Sequence, residues 1–311
     1  MKNIIVTGAT GQIGSELVVE LRKKYEEKNV VAIGHSKPTT GELSNGPFET
    51  VDVTDKIALE ELVKKYQPDT IFHLVGILSA TGEKKPELAW NVNMGGLKNV
   101  LDIARGHGIK KVFWPSSIAA FGPTTPRDNT PQHTVLEPTT IYGVTKVAGE
   151  LLCQYYWKKF GLDVRSLRYP GLISYKTPPG GGTTDYAVAI YFEAKKNKTY
   201  DCFVGPDTVL PMMYMPDAVR ATIELMEAPS ENIKIRTSYN LTAMSFSAKE
   251  LAQMVAKYVP GFTCVYHPDD RQKIADSWPR SIDDSSARAD WNWNYVFDLE
   301  KMTEDMLNHI V

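Results

Sequence analysis

The chain of 311 residues carries 35 Lys and Arg against 37 Asp and Glu, a net charge of −2, and is 42% hydrophobic. With no long run of like charge, nothing in it suits nucleic acid or an anionic membrane surface, and no apolar run approaches the ~20 residues that span a bilayer. The three cysteines, Cys153, Cys202 and Cys264, lack metal-ligand spacing, so structural thiols in a reducing compartment are expected.

The stretch "NIIVTG" (3–8) reads as a strand that starts too early to leave room for a targeting peptide, which leads to the expectation of a soluble, cytoplasmic protein. A helix over 12–27 follows, then strands at "NVVAIG" (29–34), "FETVDV" (48–53), "TIFHLVG" (70–76), "KKVFWPSS" (110–117) and "LDVRSLRYP" (162–170). Helical patterns at 56–66, 86–105 and 139–160 separate them. This alternation predicts βαβ units and an α/β fold with a doubly wound parallel sheet of the Rossmann kind. After about residue 171 the rhythm breaks. Pro and Gly cluster at 177–182, a helix follows at 185–197, then short strands and helices near 216–227, 247–258 and 299–309, which predict a smaller C-terminal lobe.

"TGATGQIG" (7–14) joins the first strand to the first helix. Gly8 permits a tight turn, Gly11 lets backbone amides approach a pyrophosphate, and Gly14 lets helix and strand pack closely. The helix N-terminus then faces the phosphates. Thr10, Gln12 and Ile13 complete this predicted cofactor loop. Residues 1–173 are accordingly expected to form a dinucleotide-binding domain, and 174–311 mainly a substrate-binding lobe with some segments returning to the main sheet.

The spacing G-x-x-G-x-x-G resembles the first turn of the extended short-chain dehydrogenase/reductase family, and "VDVTD" (51–55), "HLVG" (73–76) and "NVNMGGLKNVL" (91–101) extend the likeness. The resemblance implies that Asp52 approaches the adenine with Val53 beside it, that Leu74, Val75 and Gly76 lie under the adenosine, and that Asn93 belongs to the cofactor site. The family often has an acid at the end of the second strand for the ribose hydroxyls; this chain has Gly34, followed by His35, Ser36 and Lys37. NAD is the expected cofactor. NADP is left open, with Lys37 available to a 2′-phosphate.

"TTIYGVTKVAGE" (139–150) sets Tyr142 and Lys146 four residues apart on one helical face. A tyrosine at its ordinary pKa of ~10 is a poor base near neutrality, and an adjacent ammonium is expected to bring it down. In the family this is the proton-transfer pair, and the lysine also binds the nicotinamide ribose. "PSSIAAFG" (115–122) resembles the family's hydroxyl-bearing turn, which assigns Ser117 to the reacting oxygen with Ser116 as the alternative. "YPGLIS" (169–174) resembles the turn against the nicotinamide and adds Tyr169 and Pro170 to the cofactor set.

The family is dominated by enzymes of nucleotide sugars, which place an arginine shortly before the segment that here reads "YMPDA" (214–218). No basic residue lies between Asp207 and Asp217, although Arg168, Arg236 and Arg280 could compensate. The stretches "RYPGLIS", "PPGGGTTDYAV", "LPMMYMPDA", "SYNLTAMSF" and "SWPRSIDDSSARADWNW" resemble instead the short-chain-type L-threonine 3-dehydrogenases, a branch of the same family. That likeness implies NAD-dependent oxidation of L-threonine to 2-amino-3-ketobutyrate. It puts Gly181, Gly182, Thr183 and Thr184 over the substrate, with Ser117 and Tyr142 at the reacting hydroxyl. Ser79, after the fourth strand's end on the side where such sheets bind ligands, either hydrogen-bonds the substrate or closes a turn. Thr183 and Thr184 stand where a helix start favours a carboxylate, and Asp185 serves either as an N-cap or as a partner for the ammonium. The glycine run is expected to act as a lid over 177–186 that orders on substrate binding.

A nucleotide-sugar epimerase or reductase is the competing reading, and a cofactor-sensing regulator a third. His73 reads as a core histidine, and Trp291 and Trp293 as anchors of the tail. No His, Cys or carboxylate cluster has ligand spacing, so no metal is expected. The long helices at 86–105 and 139–160 resemble those that pair into a homodimer in this family.

Overall fold

A computed structural model describes residues 1–36 and 41–310; Lys37 lies outside the described residues. In the first half, β1 (Ile4–Thr7), α1 (Gln12–Tyr25), β2 (Val30–Gly34), β3 (Phe48–Thr50), α2 (Lys56–Tyr66) and β4 (Thr70–His73) follow in order. Next come α3 (Ser79–Lys84), α4 (Pro86–Trp90), α5 (Gly96–Gly106), β5 (Lys111–Ser117), α6 (Ile141–Phe160), β6 (Asp163–Tyr169) and β7 (Gly171–Ile173). The second half runs through α7 (Tyr186–Asn197), β8 (Thr199–Cys202), β9 (Val209–Tyr214), α8 (Met215–Glu227), β10 (Tyr239–Asn240) and β11 (Met244–Ser247). It closes with α9 (Ala248–Tyr258), β12 (Thr263–Tyr266), α10 (Arg271–Asp276), α11 (Ser285–Trp291) and α12 (Leu299–His309).

Seven strands form one sheet in the order β10-β6-β5-β4-β1-β2-β3, and every pairing in it is parallel. The order reverses between β1 and β4, the switch point at whose carboxyl ends such sheets bind ligands. β1, β2 and β4 are buried along their whole length because helices cover both faces. β10 comes from the second half of the chain and pairs with β6 through Tyr239↔Leu167 and Asn240↔Arg168. The other strands of that half join β7 in a three-stranded sheet, β11-β9-β7, and form a pair, β12-β8.

Local signals set the helix bounds. Asp55 caps α2 by accepting from the Ala58 amide, Thr140 caps α6 by accepting from the Gly143 amide, and Ser247 with Glu250 forms a capping box on α9. α6 ends at Gly161, whose φ of 71° is the left-handed conformation glycine adopts cheaply. Two expected strands are shorter than their apolar runs. β3 stops at Thr50 because its partner β2 ends at the Gly34↔Thr50 pair; Asp52 and Val53 are therefore loop residues. β4 stops at His73, which puts Leu74, Val75 and Gly76 in a loop as well. The expected helix over 86–105 is interrupted by a π-helical turn at Asn91–Gly95. Among the described residues no helix is long and apolar enough to cross a membrane.

Candidate active site

The turn from β1 to α1 is as tight as its glycines allow. Gly8 has φ +72°, and a Cβ on it would lie 2.9 Å from backbone atoms of Leu74 and Val75. A Cβ on Gly14 would lie 2.2 Å from the Gly8 carbonyl oxygen, so only glycine lets α1 sit this close to β1. Gly11, the N-cap of α1, offers no side chain to the first helical amides, which leaves them to an anion. Beside this turn runs a cleft of about 420 Å³ lined by Gly8, Thr10, Gly11, Asp52, Val53 and Leu74–Ile77, with Gly34 and His35 at its far end. The Asp52 carboxylate accepts from the Thr54 amide at 2.9 Å and its hydroxyl at 2.8 Å, which holds it below the usual carboxylate range. The glycine at 34 has a packing cause, since a Cβ there would meet Thr10 Cγ2 at 2.9 Å and Phe48 Cζ at 3.0 Å. Tight turn, uncapped helix and adjoining cleft fit a dinucleotide.

Leu74 and Gly76 also line a second, smaller cleft of about 140 Å³. Gln12, Ile13, Ser79, Ser117, Tyr142, Lys146, Tyr169 and Pro170 share its wall with Gly182, Thr183 and Thr184. Most of the expected site residues thus come together, from six stretches of chain. Ser117 caps the turn after β5 by accepting from the Ala119 amide at 3.2 Å, which leaves its own proton to donate. Ser116 donates to Glu150 Oε1 at 2.6 Å instead, so Ser117 is the free hydroxyl of the two. Lys146 is buried and donates to the Pro115 carbonyl at 2.5 Å, with its Nζ 5.2 Å from the Tyr142 ring centre.

The electrostatics differ from expectation. Burial pushes the Tyr142 phenol up to about 12, and the adjoining Ser117 hydroxyl draws it down by less. Burial likewise lowers Lys146 to about 7, against the opposing pull of Glu150. Desolvation outweighs the ammonium here because that group is bonded to a carbonyl and is not against the phenol oxygen.

Asn93 stands behind the clefts. Its Oδ1 accepts from the Ile77 amide at 2.7 Å, and its Nδ2 donates to the Ile77 carbonyl and to Thr145, which pins the loop after β4. The Tyr169 hydroxyl is bonded to Thr222, away from the cleft. In the glycine run, Gly181 has φ +95°, and Asp185 Oδ2 accepts from the Gly181 and Gly182 amides at 2.7 and 2.8 Å. Asp185 therefore caps the turn upstream of it and no amide of α7, a correction to its expected role as an N-cap. Thr183 is buried, with its hydroxyl 3.4 Å from that of Ser79.

Trp278 lines the same cleft from the C-terminal segment; its stretch carried the family likeness, but the residue itself was not assigned to the site. The three arginines that could have served a diphosphate are committed elsewhere: Arg168 to Glu150, Arg236 to Asp163 and Arg280 to Asp128. His73 is a core residue. It is fully buried, its Nδ1 is 2.7 Å from the Thr7 hydroxyl, and burial lowers it to about 3. Trp291 and Trp293 are buried against one another, as the tail anchors were expected to be.

Residues 4–241 match the model of the NAD dependent epimerase/dehydratase family. An uncharacterized epimerase/dehydratase of Staphylococcus saprophyticus is 53% identical over all of this chain and 97% of its own length. The crystal structure of an L-threonine dehydrogenase from Clostridium difficile superimposes with a TM-score of 0.96 at 54% identity, covering 99% of this chain and 97% of that one. A monomeric L-threonine 3-dehydrogenase from a metagenome superimposes with a TM-score of 0.95 at 50% identity, covering 99% and 98%. On sequence, topology and the glycine turn alike, the chain belongs to the NAD dependent epimerase/dehydratase family.

Proposed function

We propose that this chain oxidises the 3-hydroxyl of L-threonine to 2-amino-3-ketobutyrate with NAD. One observation carries the reading: the cleft beside Tyr142 and Ser117 is small, is covered by Gly182, Thr183 and Thr184, and has no arginine in its wall. A sugar nucleotide needs more room and a partner for its diphosphate; a short zwitterion needs neither. The likeness to L-threonine dehydrogenases at 50–54% identity supports the same substrate.

NAD, when bound along the two clefts, supplies the hydride acceptor. The chain does the rest. Gly8, Gly11 and Gly14 shape the turn for the pyrophosphate, with Thr10, Gln12 and Ile13 beside it. Asp52, Val53 and Leu74–Gly76 hold the adenosine end, and Pro170 and the Tyr169 backbone flank the nicotinamide end. Tyr142 takes the hydroxyl proton, and Ser117 donates to the substrate oxygen and fixes its direction. Lys146 contributes the positive potential that favours the phenolate. Thr183, Thr184 and Ser79 orient the amino acid, and Asp185 holds the glycine turn in shape.

In this reading the chain to residue 173 carries the cofactor and the chain after it mainly carries the substrate, apart from β10 in the main sheet. A homodimer is proposed through the apolar stripe of Val144, Leu151 and Tyr155 on α6 with Leu88 and Trp90 on α4, all exposed in the single chain. Light scattering on a sizing column tests it, and a monomeric mass removes it. The proposed location is the cytoplasm.

The test is initial-rate absorbance of the reduced nicotinamide with L-threonine and NAD, then NADP, with D-threonine and UDP-glucose as comparisons. Reduction that requires L-threonine and prefers NAD is expected. Conversion of UDP-glucose without turnover of L-threonine overturns the reading.

A further inference from the structure

The side chain that faces Lys146 from the sheet is an indole. Trp114, on β5, is 2% exposed, and its ring centre lies 4.5 Å from Lys146 Nζ. That closeness depends on the residue three positions after the lysine on the same helical face. A Cβ on Gly149 would lie 2.3 Å from Trp114 Cη2, so any larger residue there would push the ring away. The ammonium thus sits between the face of an indole and the Pro115 carbonyl, which it meets at 2.5 Å. An indole face attracts a cation through its quadrupole, and the attraction grows as water is excluded.

We propose that Trp114 is a positioning residue for Lys146: its ring, admitted against α6 by Gly149, holds the lysine as a cation aimed at the cleft. The proposal rests on the reading that Lys146 serves proton transfer, and it deepens that reading by naming what keeps a buried lysine charged. The groups able to compete are few. Tyr142, Glu150 and Cys153 share the helix with Lys146, and His73 faces it from the end of β4, where burial keeps the imidazole neutral. Arg168, from β6, is spent on Glu150, its Nη2 2.6 Å from that carboxylate. Glu150 favours the ammonium, yet burial still lowers Lys146 to about 7, and the ring opposes that drift.

The test reads Lys146 directly, without substrate or cofactor. Competitive labelling with trace acetic anhydride, followed peptide by peptide by mass spectrometry across pH, gives the titration midpoint of this one lysine. Trp114→Phe, Trp114→Leu and a series of fluorinated tryptophans placed at 114 are compared; the fluorinated rings keep the shape and weaken the quadrupole stepwise. The expected result is a midpoint about one pH unit lower in Trp114→Leu. Trp114→Phe should fall between, and the fluorinated series should step down in order of ring charge. If Trp114→Leu fails to fold, the fluorinated series decides alone. A midpoint that stays flat across that series overturns the proposal and leaves the indole as packing. Turnover of L-threonine, measured in parallel, separates the two questions: its absence from the unaltered protein sinks the substrate reading while the titration of Lys146 still decides this one.

Discussion

In the proposed reaction Tyr142 takes a proton in a place where burial, only partly offset by the Ser117 hydroxyl, pushes its phenol up to about 12. The phenolate fraction therefore grows with pH while Lys146, lowered by burial to about 7, sheds its charge, and kcat/KM for L-threonine is expected to rise from about pH 7 upward by less than roughly tenfold per unit. Tyr142→Phe should lower kcat by roughly 10²–10⁴-fold, abolish that rise, and leave NAD affinity nearly intact; an active variant with the original pH profile refutes the role. Gly14 lends itself to a cruder test. Because a Cβ there meets the Gly8 carbonyl oxygen at 2.2 Å, Gly14→Ala should open the turn and weaken NAD binding in calorimetry. Tight binding by that variant would show that α1 can slide. The tyrosine, lysine and glycines were legible in the sequence because their spacing is local. Ser117 was legible as one of two serines, and only the bond from Ser116 to Glu150 separates them. Trp278 lay in a stretch singled out for its likeness, but its place in the cleft was not legible, since it gets there from a segment far along the chain.

Helix ends carry the local energetics. Thr140 accepts from the Gly143 amide at 3.1 Å at the start of the helix that presents Tyr142 and Lys146. Thr140→Ala is expected to cost ~1 kcal/mol, a Tm lower by roughly 2–4 °C in calorimetry, with Tyr142 and Lys146 loosened by fraying. Asp185 plays the comparable part for the glycine run, holding two amides with one carboxylate oxygen. Asp185→Asn should speed hydrogen exchange over 177–186 and raise KM for L-threonine by roughly tenfold, because charge-assisted bonds are the stronger kind. Saturating L-threonine with NAD should slow exchange over the same segment in the unaltered protein, and unchanged exchange would argue against a lid. Elements with a single period and a clear cap were readable in advance: α2 and α12 have the bounds their patterns predicted. α3 and the two-residue β10 escaped because such short segments hold too little periodicity to register. The π turn at Asn91–Gly95 escaped because Asn93, which pins the loop after β4 from inside it, is a tertiary requirement.

At the scale of the whole molecule, the buried imidazole of His73 makes an acid-sensitive joint. In the unfolded chain it binds a proton near its ordinary value of 6.5, whereas in the fold it stays neutral down to about 3. The unfolded state binds more protons across that window, so stability is full above pH 6.5 and is lost as pH falls toward 3. His73→Asn should flatten this part of the pH–stability curve in urea titrations; an unchanged slope would assign the acid sensitivity to other groups. The alternation of strand and helix made the doubly wound sheet legible, but not its last strand. β10 lies some seventy residues after its neighbour β6, and only the folded chain shows that Asn240 accepts from Arg168 and closes that edge.

That late strand orders events on the ribosome. At about 5–20 residues per second, β6 emerges roughly 4 to 14 seconds before the segment that will cover it. During that interval the backbone of β6 at Leu167 and Arg168 stays unpaired, an open edge of the sort that can pair with other chains. A chain stalled on the ribosome between residues 170 and 238 therefore keeps that edge of the sheet open, with Arg168 lacking its Asn240 partner.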